Sequence, residues 1–136
     1  MAEIDIGPEI DWQKPDYAEV ITWRGNVLRR MAEMPDEEFL AVMAFYSEHP
    51  AEWIAHYGWT FDPRNPERGM PAVVPFLLFP RQVDFVRWVV DRWKGREDGV
   101  VEKSRDMGAS WLVVAIAVWM WIFRAGVVVG FGSRKE

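Results

Sequence analysis

The chain has no cysteine, only two histidines, and no uncharged run longer than the 17 residues of Met107 to Phe123. The first absence excludes a disulfide scaffold and thiolate zinc sites, and it is compatible with a reducing cytosol. The second leaves His49, Glu52 and His56 as the one cluster at metal-ligand spacing. Pro50 sets His49 ahead of the helix that the other two would share, so both histidines read as ordinary surface residues. The third argues against a membrane span, which needs about 20 apolar residues, and for a buried helix. Positive charge is also short: 16 Lys and Arg face 21 Asp and Glu, for a net charge of −5. The chain as a whole is therefore no basic nucleic-acid glove. Met1 to Asp11 is acidic and lacks the basic and apolar regions of a secretory leader, so none is expected.

What is present suffices for one ordinary domain: 136 residues, half of them hydrophobic, with nine tryptophans and eight phenylalanines. Charge divides the chain. Residues 1–79 hold 6 basic and 14 acidic side chains, whereas residues 80–136 hold 10 basic and 7 acidic, so the two parts are expected to do different jobs.

The front part reads as helical. Tyr17 to Met34 carries Val20, Ile21, Trp23, Val27, Leu28 and Met31 at three- and four-residue steps, with Gly25 as a weak point. Pro35 and the acidic turn Asp36-Glu37-Glu38 open a second helix bearing Phe39, Leu40, Val42, Met43 and Phe45. A third runs from Ala51 to Tyr57 between Pro50 and Gly58. Between Trp59 and Pro75 the breaker-rich stretch Asp62 to Gly69 predicts a hairpin or an extended loop, followed by the β-prone segment Val73 to Phe79. Pro80 then starts a helix to about Trp93, with Val83, Val86, Val89 and Val90 inward. Its basic run, Arg81, Arg87, Arg92, Lys94 and Arg96, is interrupted by Asp84 and Asp91 and reads as a solvated, ion-paired face. Gly99 to Lys103 and Val127 to Val129 read as buried-type strands flanking an apolar helix from Ala109 to Phe123, one βαβ unit of a parallel sheet. Trp111, Trp119 and Trp121 on that helix read as core or as cover for a neighbour, not as base-stacking platforms. The fold class expected is thus α/β: a helical region over residues 1–57, then an incomplete P-loop type βαβ sheet over residues 58–136.

The chemistry lies in the loop between strand and helix. A phosphate loop reads G-x-x-x-x-G-K-[ST], and here those positions hold Lys103, Ser104, Arg105, Asp106, Met107, Gly108, Ala109 and Ser110. The second glycine and the hydroxyl are in place. Ala109 occupies the lysine slot, but a cation at the loop entrance, Lys103, can reach inward toward the β-phosphate, and Arg105 is a second candidate. Ser110 is the natural magnesium ligand. Ahead of the loop, Gln82 offers the donor and acceptor that reading an adenine edge requires. Its bland reading is an exposed second-position residue of a helix.

These residues resemble the N-terminal part of the large terminase subunit of tailed bacteriophages. The likeness is carried by Leu78-Phe79-Pro80-Arg81-Gln82 as an adenine-side motif, by Glu102 to Trp111 as a variant Walker A, and by Gly130 to Glu136 as the end of the following strand. It covers residues 58–136; residues 1–57 match only as a helical preface. The resemblance implies an ATPase portion of a viral DNA-packaging motor in the bacterial host cytoplasm, with ATP and Mg2+ as cofactors. Phage DNA, the portal and the small terminase subunit are partners of the full-length protein of that family.

One part is missing. Such an ATPase needs a Walker B strand ending in Asp or Glu, and beyond Ser110 the only acidic residue is Glu136. The expectation is a fragment that binds nucleotide without turning it over, with an open sheet edge that favours self-association. The alternative is a non-enzymatic interaction module with a vestigial phosphate loop, docking on a packaging or capsid partner through its acidic helical part.

Overall fold

The computed structural model describes residues 10–105 and 107–133. Helix α1, Tyr17–Glu33, begins where the Asp16 side chain accepts a hydrogen bond from the Glu19 N–H at 3.0 Å. Its buried stripe is Val20, Arg24 and Val27, whereas Ile21 and Leu28, which the spacing also admitted, face solvent. Gly25 does not interrupt it. Helix α2, Asp36–Glu48, starts behind Pro35 on its three acidic residues and buries Val42 and Tyr46, leaving Phe39 and Leu40 exposed. Helix α3, Pro50–Tyr57, ends at Gly58, whose N–H bonds to the Ile54 carbonyl at 2.7 Å. A side chain at Gly58 would meet that carbonyl at 2.5 Å, so glycine is required by space.

Strand β1, Trp59–Phe61, pairs antiparallel with β2, Val73–Pro75, in the register Thr60 opposite Val74. Of the hairpin and the extended loop expected here, the hairpin forms. Its loop turns through Pro66–Arg68 to Gly69 at φ +73°. The strand stops at Pro75, which brings no N–H to a ladder. Helix α4, Pro80–Gly95, ends on Arg96 in the left-handed region, φ +55°. Helix α5, Ala109–Phe123, follows Gly108 at φ +70°.

The core is made by α3, α4, α5 and the segment after β2. Ile54, Phe76, Leu78, Val86, Val90, Leu112, Ile116 and Trp119 form one cluster. Trp119 is fully buried and donates its indole N–H to the Tyr46 carbonyl at 2.8 Å, tying α5 to α2.

The architecture is mixed helix and sheet, and in one respect it departs from the sequence expectation. Gly99 to Lys103 and Val127 to Val129 have no regular secondary structure, and the sheet among the described residues is the antiparallel β1–β2 pair. Val100 is 95% exposed and Val128 94%. A strand is completed by its neighbour, and neither segment has one here, so apolar β-propensity alone does not make a ladder. Helix α5 accordingly packs on α3 and α4 instead of a sheet face. No helix among the described residues is long and apolar enough to cross a membrane.

Candidate functional site

A cleft of about 460 Å³ opens between the first turns of α4 and the segment leading into α5. That is the size of a small-molecule site. Phe79, Phe85, Trp88, Val100 and Met107 give it apolar walls, and Arg81 and Lys103 bring cations opposed by Asp84 and Glu102.

Gln82 stands at its base. Pro80 begins the helix at its first position, which places Gln82 at the third, and the side chain turns inward and is only 7% exposed. Its Oε1 accepts the Phe79 N–H at 3.2 Å, and its Nε2 donates to the Met107 carbonyl at 3.2 Å. The exposed-residue reading is therefore corrected: the residue caps its own helix and reaches the loop. Each end of the amide keeps one further hydrogen-bonding position, a lone pair on Oε1 and a hydrogen on Nε2.

Lys103 is exposed and lines the cleft, with Nζ donating to the Ser104 carbonyl at 3.1 Å. Ser104 and Arg105 are exposed and do not line it. Asp106 lies outside the described residues, as do Arg134, Lys135 and Glu136 of the expected strand end. Met107 and Ala109 line the cleft, whereas Ser110 is exposed in the first turn of α5 without lining it. Gly108 takes a left-handed conformation that favours glycine, φ +70°, and a Cβ there would stand 2.9 Å from Gln82 Nε2, the end of a side chain that would have to shift. Among the described residues no side chain caps α5, and its first internal bond runs from the Leu112 N–H to the Gly108 carbonyl at 3.0 Å. The amide groups of its first turn thus have no intrahelical acceptor.

A second hollow of about 510 Å³ lies against the same loop and shares Gln82 and Met107. Asp62 lines it, held at about 2 by side-chain and backbone hydrogen bonds from Arg64.

The histidines are drawn apart. His56, expected at the surface, is buried, with Nδ1 3.0 Å from the Tyr46 hydroxyl and its ring edge-on to Trp23. His49 stacks on Phe45 and bonds its carbonyl, while Glu52 pairs with Arg87 at 2.8 Å. No group of three or more metal-ligating side chains is assembled among the described residues. Three of the five cations of the α4 run, Arg87, Arg92 and Lys94, are ion-paired, to Glu52, Glu97 and Glu48 instead of the aspartates on their own helix.

Two features had no clear sequence signal. Trp88 forms a wall of the cleft, and a side chain at Gly99 would collide with its ring, so the entering segment lies directly on the indole. Arg24 is buried against the end of α3, donating to the Ala55 and Gly58 carbonyls at 2.8 and 2.9 Å beneath Trp59. Burial lowers its pKa to about 10. No protein-family model, curated protein or solved structure matches the chain.

Proposed function

We propose that this chain is an ATP-binding portion of a terminase-type DNA-packaging ATPase, with the nucleotide held between α4 and the 103–110 loop. One observation carries the reading: a single cleft is lined by Gln82, Lys103, Met107 and Ala109, residues taken from two motifs some 20 positions apart. Its apolar walls suit a base, and Lys103 and Arg81 suit the phosphates. The start of α5 adds backbone N–H donors of the kind that bind phosphate.

In that reading the residues of the two motifs would divide the roles, Gln82 and Lys103 from within the cleft and Arg105 and Ser110 from its margin. Gln82 supplies its remaining donor and acceptor to the base edge. Lys103 neutralises phosphate charge, with Arg105 next to it in the loop, and Gly108 lets the backbone approach. Ser110 would be the residue to hold Mg2+ through its hydroxyl oxygen. Bound Mg2+ would neutralise phosphate charge. The activity proposed for these residues is nucleotide binding. A finer reading of the fold belongs here too: Gly99 to Lys103 and Val127 to Val129 are the segments that a parallel sheet would recruit as strands.

A second reading, an interaction module with a vestigial loop, is favoured by Ala109 at the lysine slot and by the apolar surface of α5. Titrating a fluorescent ATP analogue into the protein, with and without Mg2+, separates the two. The ATPase reading predicts Mg2+-dependent binding that Lys103→Ala weakens by about 10-fold or more, the loss of one charge-assisted contact. Equal affinities would remove Lys103 from the site, and the absence of any signal would favour the module.

A further inference from the structure

Helix α5 buries one side and bares the other. Trp111, Val114, Val118, Trp121 and Ile122 are all exposed, Trp121 at 78%. At 100° per residue they fall within about a third of the helix circumference, so they form one stripe. Trp59 and Phe61 of β1 extend the patch, since they line hollows that also contain Trp111. Counting roughly 200 Å² for a whole aromatic side chain and about 150 Å² for a valine or isoleucine, the bare part of the patch is on the order of 600–650 Å². That is at the lower end of what each partner contributes to a standard interface, and it is at the upper end of the apolar patches that monomers usually carry.

We infer that this face pairs with the same face of a second copy of the chain, the two α5 helices running antiparallel about a two-fold axis near Val118. The surface is self-complementary in the sense such an axis requires. Beside the stripe lies an apolar groove of about 230 Å³ lined by Trp53, Trp59, Phe76, Trp111, Val114 and Val118. Trp121 stands three residues beyond Val118, so the axis sets it over Val114 and Ala115 of the other copy, at the rim of that groove. From Met107 to Phe123 there is no charge of either sign. The symmetric contact therefore opposes no like charges, and nothing along the stripe selects a charged partner.

The absence of cysteine makes the test clean. A residue near a two-fold axis meets its own copy, so Val118→Cys should cross-link into a covalent dimer under mild oxidation far faster than Leu40→Cys on the exposed side of α2. Sedimentation equilibrium of the unaltered chain should give a discrete dimer, and Trp121→Glu should weaken it about 30-fold or more, as for a central aromatic anchor. A monomer up to about 100 µM, a range in which even micromolar dimers assemble, would overturn the pairing. So would equal cross-linking of the two cysteine variants. Open-ended oligomers would point to a head-to-tail contact, and partition into phosphatidylcholine vesicles without a dimer would assign the face to a lipid surface. Either result contradicts the proposal. The cross-linking comparison keeps it open to refutation even if Trp121→Glu fails to fold.

Discussion

Gln82 Nε2 donates to the Met107 carbonyl across 3.2 Å, fastening the first turn of α4 to the loop that leads into α5. The next residue, Gly108, leaves the space that this amide fills. Gln82→Ala removes a bond at each end of the side chain and is expected to cost about 1–3 kcal/mol. Gly108→Ala should cost about 1–2 kcal/mol for its left-handed backbone alone, plus the contact with Gln82. Combined, the two changes should cost less than their sum, because the truncated side chain no longer meets the new methyl. Urea denaturation of the three variants measures this, and strict additivity would mean that the contact is absent.

Trp119 joins α5 to α2 through its buried indole. Trp119→Ala is expected to lose about 3–5 kcal/mol, and Trp119→Phe less, on the order of 1–2 kcal/mol, since it keeps most of the ring and removes only the indole bond to a Tyr46 carbonyl that still accepts the His49 N–H at 3.3 Å. Far-UV circular dichroism during denaturation reads both. A Trp119→Ala protein as stable as the parent would contradict the packing described.

Glu48 gives a pH dependence with a definite sign. Arg124 and Lys94 reach it at 2.8 and 2.9 Å and hold its carboxyl at about 2, against an ordinary value of 4.5. The folded state therefore gains from the ionised form. That gain is complete above about pH 4.5 and is lost as pH falls toward 2. Glu48 is largely exposed, so solvent screening limits the gain to about 1 kcal/mol or less. Glu48→Gln should flatten that part of the stability curve between pH 5 and 2.5, and should leave the shape above pH 5 unchanged.

Arg96 ends α4 at φ +55° with its N–H on the Trp93 carbonyl at 3.1 Å, a left-handed cap made without glycine. Arg96→Gly relieves that conformation and should stabilise the protein by about 0.5–1 kcal/mol. A thermal midpoint that falls would show that the arginine side chain contributes more than its backbone costs.

Helices were the legible part of this sequence, because each start is written locally: Asp16, Pro35, Pro50, Pro80 and Gly108 stand at or beside the first turns of α1 to α5. The hairpin was legible from its breakers. What the pattern could not give was pairing. Val100 and Val128 have strand-like neighbours in sequence but no ladder partner in space, and partnership is a long-range property. The core stripe of α1 was misjudged at Arg24 because a cation was not counted as an inward residue. Its two terminal guanidinium nitrogens donate there to carbonyls that only the folded end of α3 presents, while Nε is buried without a partner among the described residues. In the candidate site, Gln82 and the loop were found by motif, whereas the wall residue Trp88 is identified only once Gly99 is folded onto it.

The proposed function requires that the cleft between α4 and the 103–110 loop receive ATP. Amide hydrogen exchange with and without MgATP tests it most directly, because it locates the ligand as well as detecting it. The expected result is slowed exchange over residues 79–83 and 100–112, with α1 and α2 unchanged. No change anywhere under saturating MgATP, or protection confined to another part of the chain, would contradict it.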